Sequence, residues 1–449
     1  TARNDWTSTL PQDQWSYFFP SFSASYVFSD ALKIDPSILS FGKIRAAWAE
    51  GAVDVPPYAI NTVYNSGSFA GSPTSSLPGA LPAINYKPQI NKTADFGVTL
   101  GFLKNRINFD FRYYNGRAIN QLLNSPLPQT SGVSSIIINT GVLQNSGIEM
   151  MLGARIVDQP VFKWDLSINM SQNYNRLLSL SPGATRVDMN NIWGASGTYI
   201  SAVVGQEFGT ILGYDYVYDP KTRMPLLQDQ AQIMQNFGVD AATAASMKGT
   251  VYQDTTNIVP IGNATPKFRG GMTNTFTFKG GFSVSTLIDW KIGGQIWSGT
   301  YASMMHPGTA PQTLKERNGG GLPYVTPDGT QTNWGVILPG VYPDGTVNTT
   351  VVHYYYKYMQ YGVWSSGPNN SQWIHKSGVL NDTWYKLREV SLNYAIPERI
   401  VRKTKAFQGA TVSIVGRDLF YLFSSLPDHI NPEGVNGAGN AQGIEFASL

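Results

Sequence analysis

The chain has no cysteine, which excludes disulfide staples, thiolate zinc sites and thiol nucleophiles together. Charge is scarce as well: Asp, Glu, Lys and Arg make up 14% of 449 residues, against about a quarter in ordinary soluble domains. The formal net charge is only +3 and the basic residues are scattered, so nucleic acid is not an expected partner. Arg269-Gly-Gly accordingly reads as part of a strand, not as an RNA-binding box. No apolar run approaches the roughly 18 residues of a membrane helix, which excludes a helical membrane protein. The opening TARNDWTSTL has neither an initiator Met nor an apolar signal core, so the chain is expected to be mature or to begin inside a longer protein.

What is present is apolar, aromatic and alternating. Hydrophobic residues reach 42% and aromatic ones 12%, with Gly 45 and Tyr 24, a balance that suits strands joined by long polar loops. In GGFSVSTLIDWKIGG, from Gly280 to Gly294, Phe282, Val284, Thr286, Ile288, Trp290 and Ile292 fall on one side of an extended chain. Ser283, Ser285, Asp289 and Lys291 fall on the other, with Leu287 as an apolar intruder. The same period of two runs through Ala94 to Phe102 and Ile107 to Tyr113, a hairpin turned at LKNR. It returns in Ile148 to Ala154 with Phe162 to Met170, in Tyr17 to Phe28 with Leu39 to Trp48, and in Trp384 to Ala395 with Gly409 to Leu422. The connection IPERIVRKTKAF leaves room for one helical turn after Pro397.

About ten such strands are expected, each near the 9 to 11 residues with which a tilted strand crosses a bilayer. Turns within pairs are short. Links between pairs are long: Gly51 to Asn91, Gly116 to Asn145, Asn175 to Thr265 and Gly293 to Thr383. Short connections at one end and long ones at the other describe an all-β transmembrane antiparallel barrel with periplasmic turns and extracellular loops, and soluble domains rarely hold such loops. A soluble β-sandwich or propeller also alternates. Against it stand aromatics near strand ends, Phe278 with Phe282, Phe102 with Phe162, and Tyr113, as in an interfacial girdle. On the barrel reading Val284, Ile288 and Trp290 face lipid, while the mid-strand charges Asp110, Arg112, Asp165, Asp289 and Lys291 face a wet lumen.

Motifs for catalysis are poor. His306, His353, His375 and His429 lack metal-like spacing and read as surface or loop-packing side chains. Gly437-Ala-Gly-Asn-Ala-Gln-Gly443 misses the dinucleotide fingerprint and reads as a flexible loop, and Gly194-Ala-Ser-Gly fails the nucleophile elbow. Asp215, Asp219, Asp229 and Asp254 are a weak candidate for Ca²⁺ in a long loop, without the alternation of a known calcium loop. No other cofactor is expected, and no catalytic metal. Aromatics concentrate between Gly293 and Thr383, where Trp334, Tyr355, Trp364 and Trp373 are candidate contacts for a sugar ring, a peptide side chain or a partner protein. The alternative is that they form the loop's own small core.

Several segments are familiar. From Ile261 to Thr300 (IGNATPKFRGGMTNTFTFKGGFSVSTLIDWKIGGQIWSGT), from Thr383 to Pro397 (TWYKLREVSLNYAIP), VSIVGRDLFYLF from Val412 and NPEGVNGAGNAQGIEF from Asn431, the chain resembles the C-terminal half of SusC/RagA-type TonB-dependent transporters of Bacteroidetes. The opening RNDWTSTLPQDQWSYFFPSFSASYVFSD, then LSFGKIRAAWAE and NSGIEMMLGARI, fit the same family in the same order. The resemblance implies that residues 1–449 are the C-terminal portion of a barrel of about 22 strands, with 175–265 and 295–383 as long extracellular loops. It also implies active import of a glycan or peptide fragment, a SusD-like surface lipoprotein as lid, energy from TonB-ExbB-ExbD, a dimer of transporter–lid pairs, and no enzymatic step. The plug domain and the last strand of that family are expected to lie outside this chain, since about ten strands cannot close and would leave two edges unpaired in lipid. A passive porin-like barrel and a soluble β-rich carbohydrate-active enzyme are the rival readings.

Overall fold

The computed structural model describes residues 1–83, 86–127, 129–180, 183–190, 198–252, 257–359, 361, 374–427, 430–436 and 442–445. Among these, eleven strands follow one another around a single sheet in sequence order. They are β1 (Ala2–Trp6), β2 (Ser16–Val27), β3 (Leu39–Val53), β4 (Gln89–Phe102), β5 (Ile107–Pro126), β6 (Ser135–Asp158), β7 (Phe162–Ser179), β8 (Phe268–Phe278), β9 (Phe282–Ile292), β10 (Trp384–Ala395) and β11 (Thr411–Ser424). Each pairs antiparallel with the next. Ala80–Leu81 adds a short parallel pairing to β6. Among the described residues β1 and β11 do not pair with each other, so the sheet is an open part of a barrel.

Register holds the alternation in phase across the whole sheet. One transverse row runs Tyr26, Ile44, Val98, Phe111, Met150, Met170, Gly270, Trp290, Tyr385 and Phe423. The row beside it, one residue away on each strand except β11, where a bulge makes it two, and so on the opposite face, reads Thr99, Asp110, Met151, Asn169, Gly271, Asp289, Lys386 and Tyr421. Much of the apolar face is uncovered among the described residues: Phe22 is 69% exposed, Phe96 46% and Ile414 70%. An uncovered apolar sheet face of this extent is unusual for a surface left in water. At its short-turn end Phe162, Phe278 and Phe282 form a row of rings 5.3 and 5.9 Å apart.

One expected loop is strand instead. The link from Gly116 to Asn145 is largely taken up by extensions of β5 and β6, which run 20 and 24 residues and stay paired as far as Pro126 opposite Ser135. At about 3.3 Å per residue these strands reach roughly 65 to 80 Å, far beyond a hydrocarbon core of about 30 Å. Polar residues and a bulge near Asn120, where φ is +60°, interrupt the alternation there and hide the strand signal. The connection after β10 does hold the expected helical turn, Glu398–Val401, following Pro397.

One buried cluster, Leu10, Val55, Ala83 and Tyr86, lies in the β1–β2 and β3–β4 links, and most of the remaining core lies in the two longest connections. Between β7 and β8 the strands Arg186–Asn190, Tyr199–Val203, Thr210–Gly213 and Val259–Asn263 form a small sheet. Between β9 and β10, Gln295–Ser298 and Val379–Asn381 join Val435–Asn436 and Ile444–Glu445, from the segment after β11, in another. Ile200, Ile211, Ile261, Trp297 and Ile444 bind these parts into one apolar cluster. The loops are therefore folded caps and hold the buried apolar side chains that the sheet leaves exposed.

Candidate functional site

The caps enclose a cavity of about 850 Å³ against the polar face of β7–β10, within the usual range of ligand sites, about 300–1,000 Å³. Its floor starts on β7, where a stride of two puts Asn169, Ser171, Asn173 and Asn175 on one face. Arg269 stands opposite Ser171 on β8. Asp289 and Lys291, at the end of β9, and Arg388, near the start of β10, complete the wall. These positions all lie where the strands meet the long connections. Its boundary also includes Gly270 and Trp290, whose register positions belong to the apolar face.

A bulge aims the central cation. Leu387 pairs with Ile288 and Glu389 with Leu287, leaving Arg388 as the extra residue between them. Its guanidinium reaches Asp289 at 2.9 Å, Asp418 at 2.6 Å and Glu433 at 2.5 Å. Asp418 takes up φ +51° to meet it. Lys386 adds a 2.6 Å contact to Glu433, and the Tyr421 hydroxyl donates to the same carboxylate at 3.1 Å. Burial opposes charge on Glu433, but Arg388 and Lys386 outweigh it and hold the carboxyl at about 2. Beside this cluster Lys291 donates to the fully buried Asp382, at the foot of the β9–β10 connection. Burial is the larger influence on Asp382 and pushes its carboxyl up.

The structure brings Asp289 and Lys291 to the cavity and leaves Asp110 and Arg112 elsewhere on the same face. Asp110 is clasped by Arg45 at 2.8 and 2.9 Å and by Thr99 at 2.7 Å, and Arg112 by Asp95 at 2.8 Å and Glu149 at 3.2 Å. Asp165 is paired with Arg155 at 2.8 Å. Val284, Ile288 and Trp290 occupy the apolar face. Trp334 is 37% exposed and packs edge-on against His353 and Tyr354. Tyr355, Tyr324 and His353 line a smaller cavity of about 300 Å³ on this cap. Trp364, Trp373, Asp254 and His429 lie outside the described residues, as do 194–197 and 437–441.

Asp215, Asp219 and Asp229 are each engaged locally. Asp215 accepts from the Tyr216 amide and the Tyr218 hydroxyl, Asp219 from Thr222, and Asp229 caps the helix Gln230–Phe237 through the Gln232 amide. No group of three or more metal-binding side chains occurs among the described residues. His375 packs in the loop core with its Nδ1 accepting from the Tyr214 amide at 3.0 Å, and burial pushes its imidazole down to about 4.

Sequence reasoning missed Arg388, Lys386 and Glu433. Arg388 breaks the period of two because it is the bulged residue, and Glu433 belongs to a polar stretch with no periodicity. Arg269 carried a signal that went unused, since it shares the phase of Thr273 and Thr275 on the polar side of β8.

Residues 1–268 match the family model described as TonB dependent receptor-like, beta-barrel. The chain is similar to TonB-dependent receptor P3 of Formosa agariphila, with 24% identity over 440 residues that cover 95% of this chain and 39% of that protein. It is also similar to TonB-dependent receptor SusC of Bacteroides thetaiotaomicron, with 29% identity over 241 residues, 49% of this chain and 23% of that one. Among solved structures, the RagAB peptide importer in its closed-closed state aligns over 99% of this chain and 44% of its own, at a TM-score of 0.65 and 17% identity. That last likeness is one of fold. The chain spans about two fifths or less of the length of these curated relatives.

Proposed function

The chain belongs to the TonB dependent receptor-like β-barrel family of outer-membrane proteins, and on that premise we propose that it forms part of an active importer of glycan or peptide fragments. In this reading the apolar face, with Val284, Ile288 and Trp290, contacts outer-membrane lipid. The polar face, with Asp110, Arg112, Asp289 and Lys291, lines the lumen. The folded caps receive a SusD-like lipoprotein lid, and Trp334, Tyr355, Trp364 and Trp373 contribute to lid or solute contact. TonB-ExbB-ExbD supplies the work through a plug, two transporter–lid pairs form a dimer, and binding rather than bond-making selects the solute.

The observation that carries this reading is the 850 Å³ polar cavity at the long-connection end of a sheet whose other face is apolar and largely uncovered. Charges on the polar face are tolerable where they pair, as Arg45 does with Asp110, Arg112 with Asp95 and Arg388 with Asp289.

The test is uptake of labelled oligosaccharide and peptide pools by the parent bacterium with the gene intact, with it deleted, and with the proton gradient collapsed. Import lost on both deletion and collapse supports the reading. A solute that still equilibrates through the intact protein after collapse identifies a passive pore and overturns it. Purification from membranes in mild detergent reads the lid and the dimer directly.

A further inference from the structure

Among the described residues, the cavity wall carries one cation without an ion pair. Of the three basic side chains lining it, Arg388 is held by Asp289, Asp418 and Glu433, and Lys291 by Asp382. The guanidinium of Arg269 has no ion pair and no hydrogen bond among the described residues. A carboxylate whose titration does register Arg269 is Asp382, which is sealed at 0% exposure and bound to Lys291. The two carboxylates in the wall, Asp289 and Glu433, are neutralised on Arg388.

Register surrounds Arg269 with further donors. Ser171 faces it directly, and Asn169 and Asn173, two residues to either side, are its diagonal neighbours. The Asn173 Oδ1 already accepts the Tyr114 hydroxyl at 2.9 Å, and the Asn175 Oδ1 accepts the Phe208 amide at 2.6 Å. Each contact engages one lone pair of the oxygen and turns the amide so that its N–H groups are left for a ligand. An uncommitted guanidinium fork beside amide donors is complementary to a planar anion that takes two hydrogen bonds.

Building on the importer reading above, we infer that Arg269, with the Asn173 and Asn175 amides, is a carboxylate-recognition site in the mouth of the transporter, and that the transporter selects acidic solutes over neutral ones of the same size. The carboxylate is that of an acid sugar or of an acidic peptide. A neutral ligand gains at most single hydrogen bonds to neutral oxygens from Arg269, whereas a carboxylate gains charge-assisted, bidentate ones.

The test uses the full-length transporter with its membrane partners. Binding is measured in detergent for oligogalacturonides against their methyl esters, and for acidic pentapeptides against their side-chain and C-terminal amides. The wild type is expected to prefer the acid form in one of the two arms by about tenfold or more, which also identifies the source of the carboxylate. Arg269→Gln abolishes that preference while leaving the esters or amides within about twofold, and Arg269→Lys restores part of it, since the charge returns without the fork. The inference is overturned if the wild type binds acid and neutral forms alike, if it binds neither, or if the preference survives Arg269→Gln. It is also overturned if that variant weakens both forms equally, which would mark Arg269 as structural. Import of a neutral probe that depends on the proton gradient, in cells without any acid preference, sinks this inference and leaves the importer reading standing.

Discussion

Arg388 and Glu433 meet at 2.5 Å although 45 residues separate them. The contact ties the segment after β11 to the wall of the sheet, and the same segment goes on to place Glu445, fully buried, against Ser298 and Thr300. One carboxylate thus closes the side of the cavity and anchors the stretch that completes the loop sheet.

Glu433→Gln should loosen that anchor. Glu433 loses its proton far more readily in the folded protein, at about 2, than at its ordinary value of 4.5. Its stabilisation is therefore fully present above about 4.5 and lost as pH falls from there toward about 2. With a third of the side chain exposed, solvent screening leaves about 2 kcal/mol. Proteolytic nicking between Ser424 and Glu445, followed as a function of pH in detergent, should show the wild type opening in that window and the variant open throughout. A variant as resistant as the wild type at neutral pH would show that the anchor is elsewhere.

How much of this was legible depended on which force fixed each element. The hairpins β4–β5 and β8–β9 are written in residues such as Val98, Phe111, Val284 and Ile288, because a strand wet on one face and apolar on the other must alternate. The extension of β5 and β6 past Asn120 was not, since consecutive apolar residues there, Leu122–Leu123 and, on the partner strand, Ile137–Ile138, break the period of two, and Leu122 and Ile137 pack against the buried Leu10, Val55 and Tyr86 instead. At the cavity, Asp289 and Lys291 could be placed by phase alone. Arg388 could not, because its orientation comes from a bulge, and Glu433 arrives from a segment whose path is set by burial of Ile444 and Glu445. Long-range placement of polar residues has no local signature.

The turn between β8 and β9 offers a paired test of backbone strain. Gly280 and Gly281 both adopt positive φ, +97° and +91°, but an added Cβ at Gly280 meets open space while one at Gly281 would lie 2.5 Å from the Ala395 carbonyl oxygen. Gly280→Ala should cost about 1 kcal/mol from conformation alone. Gly281→Ala should cost clearly more and shift the β9–β10 pairing, readable as a lower midpoint in a detergent unfolding titration. Equal midpoints would mean that the contact with Ala395 yields freely.

His375 should give the loop core its own acid sensitivity. Its imidazole is held neutral, at about 4 against an ordinary 6.5, by burial, and its Nδ1 accepts from the Tyr214 amide. Below about 6.5 the unfolded chain binds the proton that the folded loop refuses. Stability falls from there to about pH 4, by about 3 kcal/mol in total. Hydrogen exchange in Tyr214 and its neighbours should quicken over that range, and His375→Gln should flatten the profile while lowering protection at neutral pH. A wild-type profile flat between pH 7 and 4 would show that the imidazole reaches solvent.

Strand β9 tests the assignment of faces within a few residues. Val284 and Ile288 share one face and Ser285 the other, where its hydroxyl lies 3.3 Å from that of Thr275. If the apolar face meets lipid, Val284→Asp or Ile288→Arg places a charge near the bilayer midplane and should cost about 2 to 4 kcal/mol. Ser285→Asp puts its charge in a wet lumen and should be nearly neutral. Folding of the full-length variants into lipid vesicles, scored by heat-modifiable mobility, separates the two. Equal penalties on both faces would mean that neither side is wet, and with that result both the lumen and the carboxylate site at its mouth would fall.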